Sequence, residues 1–169
     1  MSNLIAESYD YLLEVFAQEL LVSCKIMTKD DFKIKKGFKD NLHFSKPGKL
    51  FIYSLIGSDQ INNKIINGLV GLNFDTETYA KFIPYLFNIN DKTDGFQEIG
   101  AELLNMCIGR AKDKLSDLGI TFKKNIPLSF SFDNLQLSQI NNAHSIQEIE
   151  IHHNKFKFSI IQCFTESVD

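Results

Sequence analysis

The most regular alternation of apolar and polar positions lies in residues 94–119, D-G-F-Q-E-I-G-A-E-L-L-N-M-C-I-G-R-A-K-D-K-L-S-D-L-G. At about 100° per residue, Phe96, Ile99, Leu103, Met106, Cys107, Ala111, Leu115 and Leu118 share one broad arc. Glu98, Glu102, Asn105, Gly109, Lys112 and Ser116 line up opposite. The pattern predicts one long helix lying on a core. Asp94 with Gln97 three residues on is an Asp variant of the capping box. Gly119 is the usual residue just past a helix end, and Lys112 and Lys114 fall on the carbonyl-rich side. The polar side is unusual. An internal glycine costs about 1 kcal/mol relative to alanine, so something other than helix stability favours Asn105 and Gly109 there. A glycine beside a carboxylate and an amide makes a shallow notch that a partner's backbone could approach.

The same reading, applied from the N-terminus, predicts a helix over residues 4–20, from Ile5, Leu12, Leu13, Val15, Phe16 and Leu20. Residues 21–27 then read as strand, as do Phe32 to Lys35, whose lysines form a solvated strand face. Pro47-Gly48 marks a turn. Two strands follow at 50–56 and 65–74, joined by a polar turn. Gly68 and Gly71 inside the second imply a bulge or a close backbone approach, since no lysine and helix of P-loop type follow. A helix over 76–87 is capped by Asp75 or Thr76, with Pro84 expected to kink or shorten it. After the long helix, strands are predicted at 120–122 and 128–132, separated by a break near Pro127. A hairpin at 146–152 and 156–164 turns at His153-Asn154-Lys155, and 166–169 is expected to fray. The halves repeat: Asp10, Glu14 and Ala17 stand 88 residues before Glu98, Glu102 and Asn105. The expectation is an α+β fold built from a duplicated helix-plus-strands unit, with a mostly antiparallel sheet of about six strands packed against long helices.

Composition narrows the setting. A chain of 169 residues suits a single domain over 1–169, and a net charge of −3 is too mild for nucleic-acid or membrane-surface binding. Cys24, Cys107 and Cys163 are odd in number and widely spaced, as buried free thiols in a reducing compartment would be. No signal peptide and no apolar run near the ~20 residues of a membrane span are seen, which points to a cytoplasmic protein. His152 and His153 are adjacent and point oppositely on a strand, and no ligand spacing implies a metal. No serine sits in a nucleophile elbow. Glu98 and Glu102 could form a paired-carboxylate site, though no sugar platform accompanies them. A projecting carboxylate and amide with neither nucleophile nor metal suit a protein that completes another protein's active site.

At Glu102 to Lys112, E-L-L-N-M-C-I-G-R-A-K, the sequence resembles the active helix of the CheC/CheX chemotaxis phosphatases. That family carries an acidic or serine residue, Glu four positions on and Asn three further, then a turn of small residues and a later proline. Glu98, Glu102 and Asn105, with Gly109, Ala111 and Lys112, and then Pro127, stand at these places. Glu98 departs from the preferred Asp or Ser. Some members use both helices and the CheX type only the second; alanine at position 17 favours the CheX type. The resemblance implies a phosphatase that hydrolyses the aspartyl phosphate of a CheY-type response-regulator receiver and so terminates a chemotaxis signal. In it Glu102 and Asn105 are the catalytic residues, and Glu98, Gly109 and Lys112 contact the partner. It implies no cofactor of the chain's own, a Mg2+ ion held by the receiver, and a homodimer formed through the sheets. The competing implication is a non-catalytic receiver-binding module related to flagellar-switch domains.

Overall fold

A computed structural model of the chain describes residues 10–35, 47–87, 99–124, 128–132 and 146–167. Three helices, α1 (Asp10–Thr28), α2 (Thr76–Phe87) and α3 (Ile99–Asp117), pack on one seven-stranded sheet. Its strands are β1 (Lys33–Lys35), β2 (Gly48–Asp59), β3 (Lys64–Asp75), β4 (Ile120–Lys124), β5 (Leu128–Phe132), β6 (Gln147–His152) and β7 (Lys157–Ser167). The order is β1-β6-β7-β3-β2-β4, every pairing is antiparallel, and β5 also pairs with β2. β4 and β5 occupy successive stretches of the same β2 edge, so seven segments fill six lanes. The expected break near Pro127 falls between them, at residues outside those described.

The topology carries the duplication. Exchanging β1 with β4, β2 with β6 and β3 with β7 reverses the strand order and leaves it otherwise unchanged. Each half therefore consists of a helix, an edge strand and a hairpin, and each edge strand pairs with the other half's hairpin.

Alternation along the strands divides the sheet into two faces. Phe51, Tyr53 and Leu55 of β2, Ile66, Val70, Leu72 and Phe74 of β3, and Phe158 and Ile160 of β7 join the helices in the main core. Phenylalanine dominates its centre, where the Phe74 and Phe158 rings stack at 4.6 Å. On the opposite face Leu50, Ile146 and Ile161 form a smaller cluster with Ile52 and Cys163 against it. Gly68 marks a close approach, because a Cβ there would lie 2.1 Å from the Cys163 carbonyl oxygen. The β2–β3 register runs without a bulge.

Several boundaries differ from expectation, β2 running on to Asp59 and β4 to Lys124. Residues 21–27 are helical, not strand: Leu20, Ser23 and Cys24 continue the buried stripe of α1, and that burial overrides the weak β preference of Val22 and Ile26. Lys29, with φ of 66° and its N–H on the Lys25 carbonyl at 2.9 Å, ends that helix. The expected fraying at 166–167 is replaced by strand, because β7 is central and pairs with β3 up to Ile65↔Ser167. Asp75 rather than Thr76 caps α2, its carboxylate accepting the Thr78 N–H at 2.7 Å. α2 runs three residues past Pro84, where the missing N–H affects only the final turn. Asp94, Phe96 and the other positions before Ile99 lie outside the described residues. No helix among those described is long and apolar enough to cross a membrane.

Candidate functional site

α3 is fixed at both ends and along one flank. At its start Gly100 lies against Phe51, and a Cβ there would stand 2.2 Å from the ring. The Gly100 N–H points at the Tyr79 hydroxyl of α2 at 3.4 Å. Burial pushes the Tyr79 phenol up to about 12, with the Gly100 N–H pulling weakly the other way. At its end Gly119 adopts φ +77°, a left-handed conformation that glycine takes without a Cβ clash. Its N–H reaches the Ser116 carbonyl at 3.0 Å, and its carbonyl accepts the Gln60 N–H of the β2–β3 turn at 2.9 Å. Along the flank toward α1, the Cys107 thiol donates to the Phe16 carbonyl at 3.1 Å. The Glu19 carboxylate of α1, only 2% exposed, receives Arg110 at 2.9 Å and also Lys114.

The buried arc comprises Ile99, Gly100, Leu103, Leu104, Cys107, Ile108, Ala111 and Leu115. Opposite its midline stand Glu102, Asn105, Gly109 and Lys112, within about 80° of one another. Glu102 and Gly109 are exposed, Asn105 and Lys112 are half-buried, and no atom lies within 4 Å of where a Gly109 Cβ would stand. The structure thus brings four of the five predicted site residues onto one outward face. The fifth, Glu98, and Pro127 lie outside the described residues. Leu118, expected in the apolar arc, is instead 50% exposed, since it follows the last turn of the helix. Beneath the site Tyr53 of β2 has its phenol pushed up by burial and, secondarily, by the Glu102 charge.

On α1, Ala17 is fully buried. Glu14 is exposed, but the position matching Asn105 faces inward, so α1 presents no counterpart of the amide. Sequence reading missed Gly100 and the latch of Glu19, Arg110 and Lys114. Only Glu19's place between Phe16 and Ser23 on the buried stripe could have signalled the latter. Cys24 and Cys107 are buried as expected and burial raises both thiols, while Cys163 is half-buried. Among the described residues no cluster of three His, Cys, Asp or Glu side chains is placed to hold a metal ion.

Neither a protein-family model nor a curated protein sequence matches the chain. Solved structures do. The chemotaxis protein CheX of Vibrio vulnificus is 18% identical over 92% of this chain and 99% of its own, with a TM-score of 0.72. The fold is that of CheX. A CheC-like superfamily protein from Shewanella sp. PV-4 shares this CheX fold at 19% identity, 91% and 97% coverage and a TM-score of 0.73. So does the matching chain of the CheX–CheY–BeF3–Mg2+ complex from Borrelia burgdorferi, at 18% identity, 90% and 96% coverage and a TM-score of 0.63.

Proposed function

We propose that this single-domain protein is an aspartyl-phosphate phosphatase acting on a phosphorylated CheY-type receiver, with Asn105 and Glu102 entering the receiver's site. The observation that carries the reading is the outward row of Glu102, Asn105 and Gly109 on a helix fixed by Phe51, Gly119 and Glu19. It is supported by the CheX fold and by the solved complex of one CheX with CheY.

Hydrolysis of an acyl phosphate requires a water in line with the bond that breaks, and alignment supplies much of the rate. In this reading the receiver's own Mg2+ and lysine neutralise the phosphoryl oxygens. The Asn105 amide hydrogen-bonds the attacking water and holds it opposite the aspartyl oxygen. Water adds to phosphorus, the P–O bond to the aspartate breaks, and inorganic phosphate and the free carboxylate leave. Glu102, one turn earlier, pairs with the receiver's lysine and sets the docking register. Gly109 lets the receiver backbone come close, while Glu98 and Lys112 add contacts to the receiver. The protein acts as a homodimer, formed through its sheet.

Phosphate release from phosphorylated receivers of the same cell tests the reading. Asn105→Ala should slow release by roughly 10²-fold, as expected for lost water alignment, with receiver affinity retained. Binding without accelerated release in the parent protein would instead identify a non-catalytic docking module.

A further inference from the structure

One flank of the outer side of α1 is apolar, beside the exposed polar residues Glu14, Gln18 and Lys25. Tyr11, Val15, Val22 and Ile26 fall within about 60° of each other on the helix. Tyr11 is 37%, Val22 36% and Ile26 45% exposed, and Val15, half-buried, packs against the main core at the edge of the row. The core-facing stripe of α1 is a different one, made by Leu12, Leu13, Phe16, Ala17, Leu20 and Cys24. Single exposed apolar residues are ordinary on a protein surface. A row of them along four turns of one helix marks a contact surface.

This row is continuous with the candidate site. On α1, Glu19 is flanked by Val15 and Val22, at the i−4 and i+3 positions that adjoin it. Glu19 is joined across the seam to Arg110 at 2.9 Å. On α3, Arg110 adjoins Met106, and Met106 adjoins both Glu102 and Gly109 by the same spacing. A single surface therefore runs from the α1 row over Arg110 and Lys114, both paired with Glu19, and over Met106 to the Glu102, Asn105 and Gly109 face. The exposed carboxylates along it are Glu14, Glu102 and Asp113, while Arg110 and Lys114 share the single Glu19 carboxylate.

We propose that the outer row of α1 is the second half of the receiver-docking surface, taking an amphipathic helix of the receiver whose basic flank meets Glu102 and Asp113. The proposal rests on the phosphatase reading for the identity of the partner. It assigns different work to the two helices: α3 aligns the water, and α1 supplies affinity and selects among receivers.

The test is a titration and a steady-state phosphate-release series with phosphorylated CheY-type receivers, on the full chain. Val22→Lys/Ile26→Lys puts two good helix formers at exposed positions, and an unchanged melting temperature verifies the fold. It should raise both KM and Kd roughly tenfold, the size expected for losing an apolar anchor, with kcat within about twofold of the parent. Ile61→Lys, at a 75% exposed apolar residue of the β2–β3 turn, is the control and should change neither. Unaltered KM and Kd in the double variant, with turnover intact in the parent, would overturn the docking surface and leave the phosphatase standing. A change of oligomeric state with unaltered receiver affinity would also overturn it, giving the row to a second copy. Tenfold weaker binding in a parent without turnover would support the surface while sinking the phosphatase. No binding to any receiver would sink both.

Discussion

Two glycines of α3 separate structural from functional constraint. Gly109 faces open space, so Gly109→Ala should stabilise the fold by about 1 kcal/mol in urea unfolding, through helix propensity alone. Gly109→Leu should be equally harmless to folding yet slow phosphate release, because the side chain would stand where the receiver approaches. Gly100→Ala should cost about 1–3 kcal/mol, since its methyl meets the Phe51 ring and neither the helix nor the sheet can yield freely. Gly109 was legible in the sequence as an odd residue on a polar helix face. Gly100 was not, because its reason is a phenyl ring on β2, and helical periodicity says nothing of what a buried side touches. Tyr79 supplies a pH dependence. Its buried phenol ionises near 12 rather than 10, so between those values the unfolded chain loses a proton that the folded one keeps. Stability should therefore fall as pH rises from about 10 to 12, and the fall in urea midpoint should be shallower in Tyr79→Phe, the buried Tyr53, Cys24 and Cys107 supplying the rest.

At the scale of elements, the α1–α3 pair sets how firmly the site is presented. Glu19 is almost wholly buried, whereas its partners Arg110 and Lys114 are 43% and 60% exposed. Removing the carboxylate and removing the cations should thus differ. Glu19→Met should be close to neutral, while Arg110→Ala/Lys114→Ala leaves a buried charge unmatched and should cost about 3 kcal/mol in chemical denaturation. Helix existence was readable from the apolar period of α1, α2 and α3. The extent of α1 was not, because Val22 and Ile26 carry β-favouring side chains and packing through Ser23 and Cys24 keeps them helical. Strand pairs joined by short polar turns were equally readable, as the β2–β3 and β6–β7 hairpins show.

For the whole molecule, the sheet face opposite the three described helices carries the smaller apolar cluster, whose Leu50, Ile146 and Ile161 are themselves buried. If it forms the homodimer proposed above, Ile52→Lys should yield a monomer by sedimentation, with the helix-side core and phosphate release per chain preserved. Sheet order lay beyond the sequence, because period-2 patterns fix which side a residue faces but not which strand lies beside it. The order found has a consequence for how such a chain could arise. Each half lends its outermost strand to the other half's hairpin, so a polypeptide holding one half would be left with an unsealed rim. Two copies could seal it only by trading strands, as an intertwined pair whose assembly depends on concentration. Joining the copies end to end would have turned that encounter into a unimolecular event, and would then have freed one of the two helices to lose its amide.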